Sequence, residues 1–182
     1  MASNNPGGRY HIPKIIQQCD RLISVTPMKT DSITGVSLSV KNYFGIAPGS
    51  KYGFPKRELF KLGAHDEIML DLFSYHPADF AIVGGCWGVE GDGPEGPGAS
   101  SVHHNLILAG AKAFCVDAVA ATLMGFQPAE LPFLIEGDKR GYGSSDVDVI
   151  WTRGNELDEA RREFRKPSRW RAAAGASPAG SL

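Results

Sequence analysis

Two carboxylates, Glu90 and Asp92, stand two residues apart in a glycine-rich stretch, FAIVGGCWGVEGDGPEGPG, running from Phe80 to Gly98. On an extended backbone residues i and i+2 point to the same side. The pair could therefore hold a divalent metal through oxygen, or divide the work of an acid and a base. Lys29, Lys41 and Asn42 offer the complementary chemistry, ammonium and amide donors able to hold an anionic group. Asp117 falls inside a nearly continuous apolar run from Lys112 to Met124. A carboxylate in such a run must be paired, hydrogen-bonded or protonated. It is the N-cap of a shorter helix, an internal hydrogen-bonding group, or a catalytic group that orients a neighbour. His65 is a metal ligand or a loop and cap residue. His103 and His104 are adjacent, so in a strand they face opposite sides and cannot easily share a metal. Against each of these stands an ordinary fate: exposed lysines, solvated acids and turn-forming glycines are common.

Two familiar phosphate motifs fail on spacing. GIAPGSK, residues 45–51, has its glycines one residue too close for a P-loop and Tyr52 in place of the magnesium-binding hydroxyl. Gly91, Gly93 and Gly96 satisfy G-x-G-x-x-G, and Asp117 lies at the distance expected of a ribose-binding acid. However, the first glycine does not directly follow the apolar run, Pro94 and Pro97 stiffen the turn, and Glu90, Asp92 and Glu95 bring negative charge where phosphates should sit. A dinucleotide site stays a minor alternative.

The elements that must position these residues can be read from periodicity. Ile12 to Gln18 reads as a short helix and Arg21 to Val25 as a strand ended by Pro27. Ile33, Val36, Val40 and Phe44 share one helical face, so residues 33–44 are expected to be helical and to stop at Gly45. Asp66 to Tyr75 is a helix with an acidic start, and Phe80 to Val83 a buried strand feeding the glycine loop. Leu106 to Ala109 is a second buried strand, Lys112 to Met124 a buried helix, and Pro128 to Ile135 a short helix and connector. Val147 to Trp151 is an expected strand and Asn155 to Arg165 an expected polar helix. The fold class expected is a single α/β domain, its sheet mixed or mostly parallel and flanked by helices, over residues 12–166. Residues 1–11 are expected to form a loose lead and 167–182 a disordered tail.

Composition narrows the function classes. The net charge is −1, with 19 basic and 20 acidic residues among 182, so no global field points to nucleic acid. Three widely spaced cysteines, Cys19, Cys86 and Cys115, form no CxxC pair; this argues against a structural zinc site and against an iron–sulfur cluster ligated by this chain itself. Their odd number, with no secretory h-region at the start, fits a reducing cytoplasm. No apolar run approaches the roughly 20 residues of a membrane span.

Several stretches together resemble a bacterial and archaeal family catalogued as domain of unknown function 362. They are CDRLISVTPMKTDSITGVSLSVKNYFG, PADFAIVGGCWGVEGDGPEGPG and LILAGAKAFCVDAVAATLMGFQPAELPFL, with the later GYG and the Asp146 to Phe164 region. The chain departs from the family pattern at Asp31, where a His is frequent, and at Gly84, where an Asp is frequent. The family also usually has an upstream segment with its own strand and loop. The resemblance implies an α/β fold. Because some members carry ferredoxin-type modules, it also implies a redox-linked setting and an iron–sulfur partner. The resulting expectation is an anion-binding or divalent-metal-binding pocket: Lys29, Lys41 and Asn42 for a small anion, Glu90 and Asp92 for a metal, Asp92 and Asp117 as catalytic groups. The competing expectations are a non-catalytic docking module for an iron–sulfur partner and an inactive truncated remnant.

Overall fold

The computed structural model describes residues 10–93 and 96–172. Its centre is a five-stranded mixed sheet. Strand β1 (Ile23–Asp31) lies between β2 (Gly35–Ser37) and β3 (Phe80–Glu90). The far side of β3 pairs with β4 (Ser100–Val102) near one end and β5 (Ile107–Gly110) near the other. The β1–β3 pair is parallel and the other three pairs are antiparallel. The helices flanking the sheet include α1 (Lys14–Gln18), α2 (Asn42–Ile46), α3 (Gly49–Tyr52), α4 (His65–Tyr75) and α5 (Ala113–Leu123). They are followed by α6 (Pro132–Lys139) and the one-turn α7 (Leu157–Ala160).

Alternation along β1 sets the layers. Ser24, Thr26, Met28 and Thr30 are buried, while Ile23 and Val25 face outward. Ala81 and Val83 do the same on β3, and α5 packs against β3 and β5 with Phe114, Val116 and Ala118 in the core. Met28, Leu38, Ile68, Leu72, Phe126 and Phe133 complete one continuous core. The opposite sheet face is different. Ile23 pairs with Phe80, Val25 with Ile82, Ile82 with Ala109, and Gly84 with Ile107. Paired residues share a face, and Ile23, Val25, Phe80 and Ile107 on this one are exposed.

Strand β1 runs through Pro27 rather than ending there. Pro27 is opposite Gly84, and the ladder then breaks and resumes at Lys29 opposite Val89. A proline is tolerated at such an irregularity because no ladder hydrogen bond is asked of its nitrogen. Strand β3 likewise continues through the glycines to Glu90. At Gly88 the carbonyl of Met28 lies 2.9 Å from where a Cβ would be, so only glycine permits this approach. The glycine loop thus begins at Gly91, which has φ of +83°.

The helix expected over residues 33–44 is replaced by a turn, β2 and the short α2. Asp31 Oδ1 accepts from the backbone N–H of Ile33 at 2.9 Å and of Thr34 at 3.0 Å, and from Thr34 Oγ1 at 3.1 Å. This Asx-type turn sends the chain back along β1 and overrides the helical spacing of the apolar residues. Val147–Val149 is a 3-10 turn, not a strand. Only Leu157–Ala160 of the expected C-terminal helix is helical. Beyond it the chain runs extended across the domain: Arg162 and Phe164 donate backbone N–H groups to Leu123 and Met124, and Arg165 accepts from Gly91. Residues 167–172 of the expected tail are described, with Trp170 buried against Phe126 at 5.2 Å between ring centroids. Residues 173–182 of that tail and 1–9 of the lead lie outside the described residues.

Candidate functional site: a lysine corner at the end of the parallel strands

Lys29 and Asp31 lie at the carboxyl end of β1, alternating with the buried Met28 and Thr30, where the parallel pair terminates. Carboxyl ends of parallel strands are where α/β folds commonly place ligands. The turn after β2 brings Lys41 to the same corner, and the first turn of α4 brings His65 and Asp66 within electrostatic reach of Lys41.

The hub is an ion pair. Lys41 Nζ lies 2.5 Å from Asp31 Oδ1, with both side chains largely buried, and also donates to Thr34 Oγ1 at 3.1 Å. Burial works against the Asp31 carboxylate, but Lys41 and the turn hydrogen bonds outweigh it and hold the carboxyl below its usual range. Burial lowers the Lys41 ammonium, with Asp31 offsetting part of that.

Lys29 is the second cation. Among the described residues it makes no ion pair; its Nζ donates to Thr26 Oγ1 at 3.3 Å. Burial lowers its pKa first, and the charge of Lys41 lowers it further, with Asp31 partly opposing. Among the described residues the corner therefore holds two ammonium groups, one carboxylate committed to Lys41, and the buried carboxyl of Asp66.

Two neighbours from α4 shape its other side. His65 stacks on Phe44, with centroids 4.3 Å apart and planes at 5°. Burial and then Lys41 push its pKa down to about 4, so the ring is neutral near pH 7. Asp66 Oδ1 is buried with no hydrogen-bond partner among the described residues. Burial pushes this carboxyl up; Lys41 opposes that, and Asp31 and Glu67 add to it. A buried acceptor left without a donor is costly in a protein interior.

The remaining sequence candidates hold the frame. Asn42 Nδ2 donates to Ser24 Oγ and to the Val25 carbonyl, both at 3.0 Å, fastening α2 to β1. Asp117 is fully buried and accepts from Ser39 N–H at 2.9 Å, Ser39 Oγ at 2.5 Å and Val40 N–H at 2.9 Å. It thus fixes the backbone immediately before Lys41. Burial pushes Asp117 up to about 7, against the pull of these three donors. Its part in the corner is that of a positioning residue.

Glu90 and Asp92 serve a different junction. Glu90 accepts from Ser100 Oγ at 3.1 Å and from the Arg165 N–H at 3.0 Å. Asp92 accepts from Ser168 N–H at 2.7 Å, and that bond holds its carboxyl below the usual range. Both acids clamp the extended C-terminal segment to the β3–β4 hairpin. Among the described residues no three His, Cys, Asp or Glu side chains gather as metal ligands.

Asp31 and Asp66 were not among the sequence candidates for the site. Asp31 carried a readable signal, since it lies two residues from Lys29 on a strand. Asp66 is identified by burial, which the sequence of an amphipathic helix start does not reveal.

A groove of about 710 Å³ lies elsewhere, between β5, α5 and residues 149–155, with Ile107, Val119, Ile150 and Trp151 among its lining.

The model of a family described as a domain of unknown function, DUF362, matches residues 3–122, more than half of the chain. The chain belongs to that family. The DUF362 match includes every residue of the lysine corner and also Glu90, Asp92 and Asp117; the clamped segment beyond Arg161 lies outside it. A curated relative, the thylakoid-associated protein sll1697 of Synechocystis, is 24% identical over 156 residues, covering 80% of this chain and 48% of the relative. The chain thus spans about half the length of that relative. No solved structure matches significantly. Among the described residues no helix is long and apolar enough to cross a membrane.

Proposed function

We propose that this DUF362 chain binds a small anion, a carboxylate or a phosphate ester, at the lysine corner. One observation carries the reading: Lys29 is a half-buried ammonium with no carboxylate partner among the described residues, set beside a second ammonium whose charge Asp31 already balances. A buried charge favours a counter-ion, and a bound anion would supply one. Asp66 Oδ1 asks in turn for a donor, which fits an anion that also carries a hydroxyl or an amine. The aromatic pair Phe44 and His65 offers such a ligand a flat, uncharged wall. The geometry favours an anion over a divalent metal at Glu90 and Asp92, because protein donors already occupy those carboxylates.

A ligand that binds the native state raises the melting temperature by mass action, by about 2.7 kcal/mol of stability at a hundredfold excess over Kd. Thermal unfolding with phosphate, glycerol phosphate and malate tests the reading. A rise in the wild type that Lys29→Met removes supports it. An equal rise in both proteins overturns it.

A second reading is favoured by the open sheet face of Ile23, Val25, Phe80 and Ile107. Contiguous exposed apolar surface marks interaction sites, so a docking role, including one on an iron–sulfur partner in a redox-linked setting, would use this face. The relative is named for association with thylakoids, and such association also calls for an exposed surface of this kind. Sedimentation of the chain with and without Val25→Lys separates this reading from a purely monomeric binding domain.

A further inference from the structure

We propose that Lys29 is a nucleophilic amine, and that the ligand of this corner is a small anion bearing an aldehyde or ketone, which Lys29 captures as an imine. The inference rests on the anion-binding reading above and names its substrate class. Three features of the corner carry it.

First, Asp31 lies two residues along the same strand and would be the natural partner of Lys29, but it is committed to Lys41 at 2.5 Å and to the turn at Ile33 and Thr34. Second, the Lys29 amine is half-buried, and among the described residues its hydrogen bonding is limited to one long contact, donated to Thr26 Oγ1 at 3.3 Å. Third, Lys41 is held nearby as a fixed cation. An amine that is desolvated and faces another cation is disposed to lose its proton and act as a nucleophile. Burial and Lys41 both lower its pKa, in that order, in keeping with this arrangement.

The step balances without an added oxidant or reductant. The neutral Lys29 nitrogen attacks the carbonyl carbon, a C–N bond forms, and the carbonyl π pair moves to oxygen. That oxygen receives the proton shed by the nitrogen, giving a carbinolamine. The remaining nitrogen lone pair then expels the hydroxyl as water, with one proton taken from solvent, and a protonated imine remains. The ligand's own negative charge would sit against the Lys41 ammonium.

The test is reductive trapping with glyoxylate, the smallest aldehyde that carries a carboxylate, and cyanoborohydride, on the whole chain at pH 7. Peptide mass spectrometry reads the rate at Lys29 against exposed Lys51 in the same molecule. A desolvated amine beside a fixed cation has a larger neutral fraction than a solvated one, so Lys29 should be trapped measurably faster than Lys51. Inorganic phosphate should slow Lys29 and leave Lys51 unchanged. Lys41→Met should also slow Lys29, because Asp31 is freed to pair with it. Equal trapping at Lys29 and Lys51, in protein whose melting temperature phosphate still raises, overturns the nucleophile and leaves anion binding standing. Equal trapping with no response to phosphate overturns both. Fast trapping that phosphate does not slow overturns the shared site, and with it the inference as stated.

Discussion

Asp117, in the middle of α5, accepts a 2.9 Å hydrogen bond from the backbone N–H of Ser39 across 78 residues of chain. With the bonds from Ser39 Oγ and Val40 N–H it turns one buried carboxylate into the anchor for the loop that delivers Lys41. The lysine corner is therefore set by a helix that contributes no side chain to its surface. Removing the anchor should cost the fold and the corner together. Asp117→Ala leaves two buried N–H groups without acceptors, and breaking such a network costs about 2–4 kcal/mol. Urea unfolding should show that loss; a loss below about 1 kcal/mol would mean the loop is held by other contacts.

Asp117 also gives a pH dependence of defined sign. Its folded pKa, pushed up to about 7, lies above the ordinary carboxyl value, so the native state binds more protons than the unfolded chain between about pH 4 and 7. Its contribution to stability is then present at low pH and is lost as pH rises through that window. Asp31 and Asp92 are shifted the other way and mask part of the effect. The difference between wild type and Asp117→Asn isolates it: the stability of wild type relative to the variant should fall between pH 4 and 7. A flat difference would contradict the assignment.

Lys41 and Asp31 should couple strongly. Asp31→Ala leaves Lys41 largely buried without its counter-charge and also dismantles the turn into β2, so a loss of about 3 kcal/mol is expected. Adding Lys41→Met should recover part of that loss, because the uncompensated charge is then gone. Urea midpoints of the two single variants and the double variant give the coupling; strict additivity would mean that the turn alone, not the charge, is what Asp31 supplies.

Asp92→Ala should loosen the C-terminal segment and leave anion binding alone. Its carboxylate holds Ser168 N–H, whereas the Lys41 ammonium is paired with Asp31. Limited proteolysis should cut faster between Arg165 and Arg171 in the variant. Loss of an anion-dependent rise in melting temperature in Asp92→Ala would instead place Asp92 in the ligand site.

Much of the framework was legible from the sequence because it rests on local pattern. The buried helix at α5, the amphipathic α4 and the start of β3 follow from apolar spacing that tertiary structure reinforces. What was not legible depends on contacts distant in sequence. The spacing of Ile33, Val36, Val40 and Phe44 is helical, but Asp31 spends its carboxylate on the turn and makes a strand there. The polar residues after Asn155 have little to pack as a helix, and Phe164 and Trp170 are drawn into the core as extended chain instead. In the candidate site, Lys29, Lys41 and Asn42 were visible as donors. Glu90 and Asp92 were equally visible as a pair of acids, yet their partners, Arg165 and Ser168, lie some 75 residues away and could not be read from spacing.

Anion binding at the corner depends on the Lys29 ammonium, and direct calorimetric titration of phosphate into the chain tests that most simply. The wild type and a Lys51→Met control should bind alike, and Lys29→Met should weaken binding at least ~10-fold, the loss of one charge-assisted hydrogen bond. Equal affinity in Lys29→Met and the wild type would contradict the lysine corner as the ligand site.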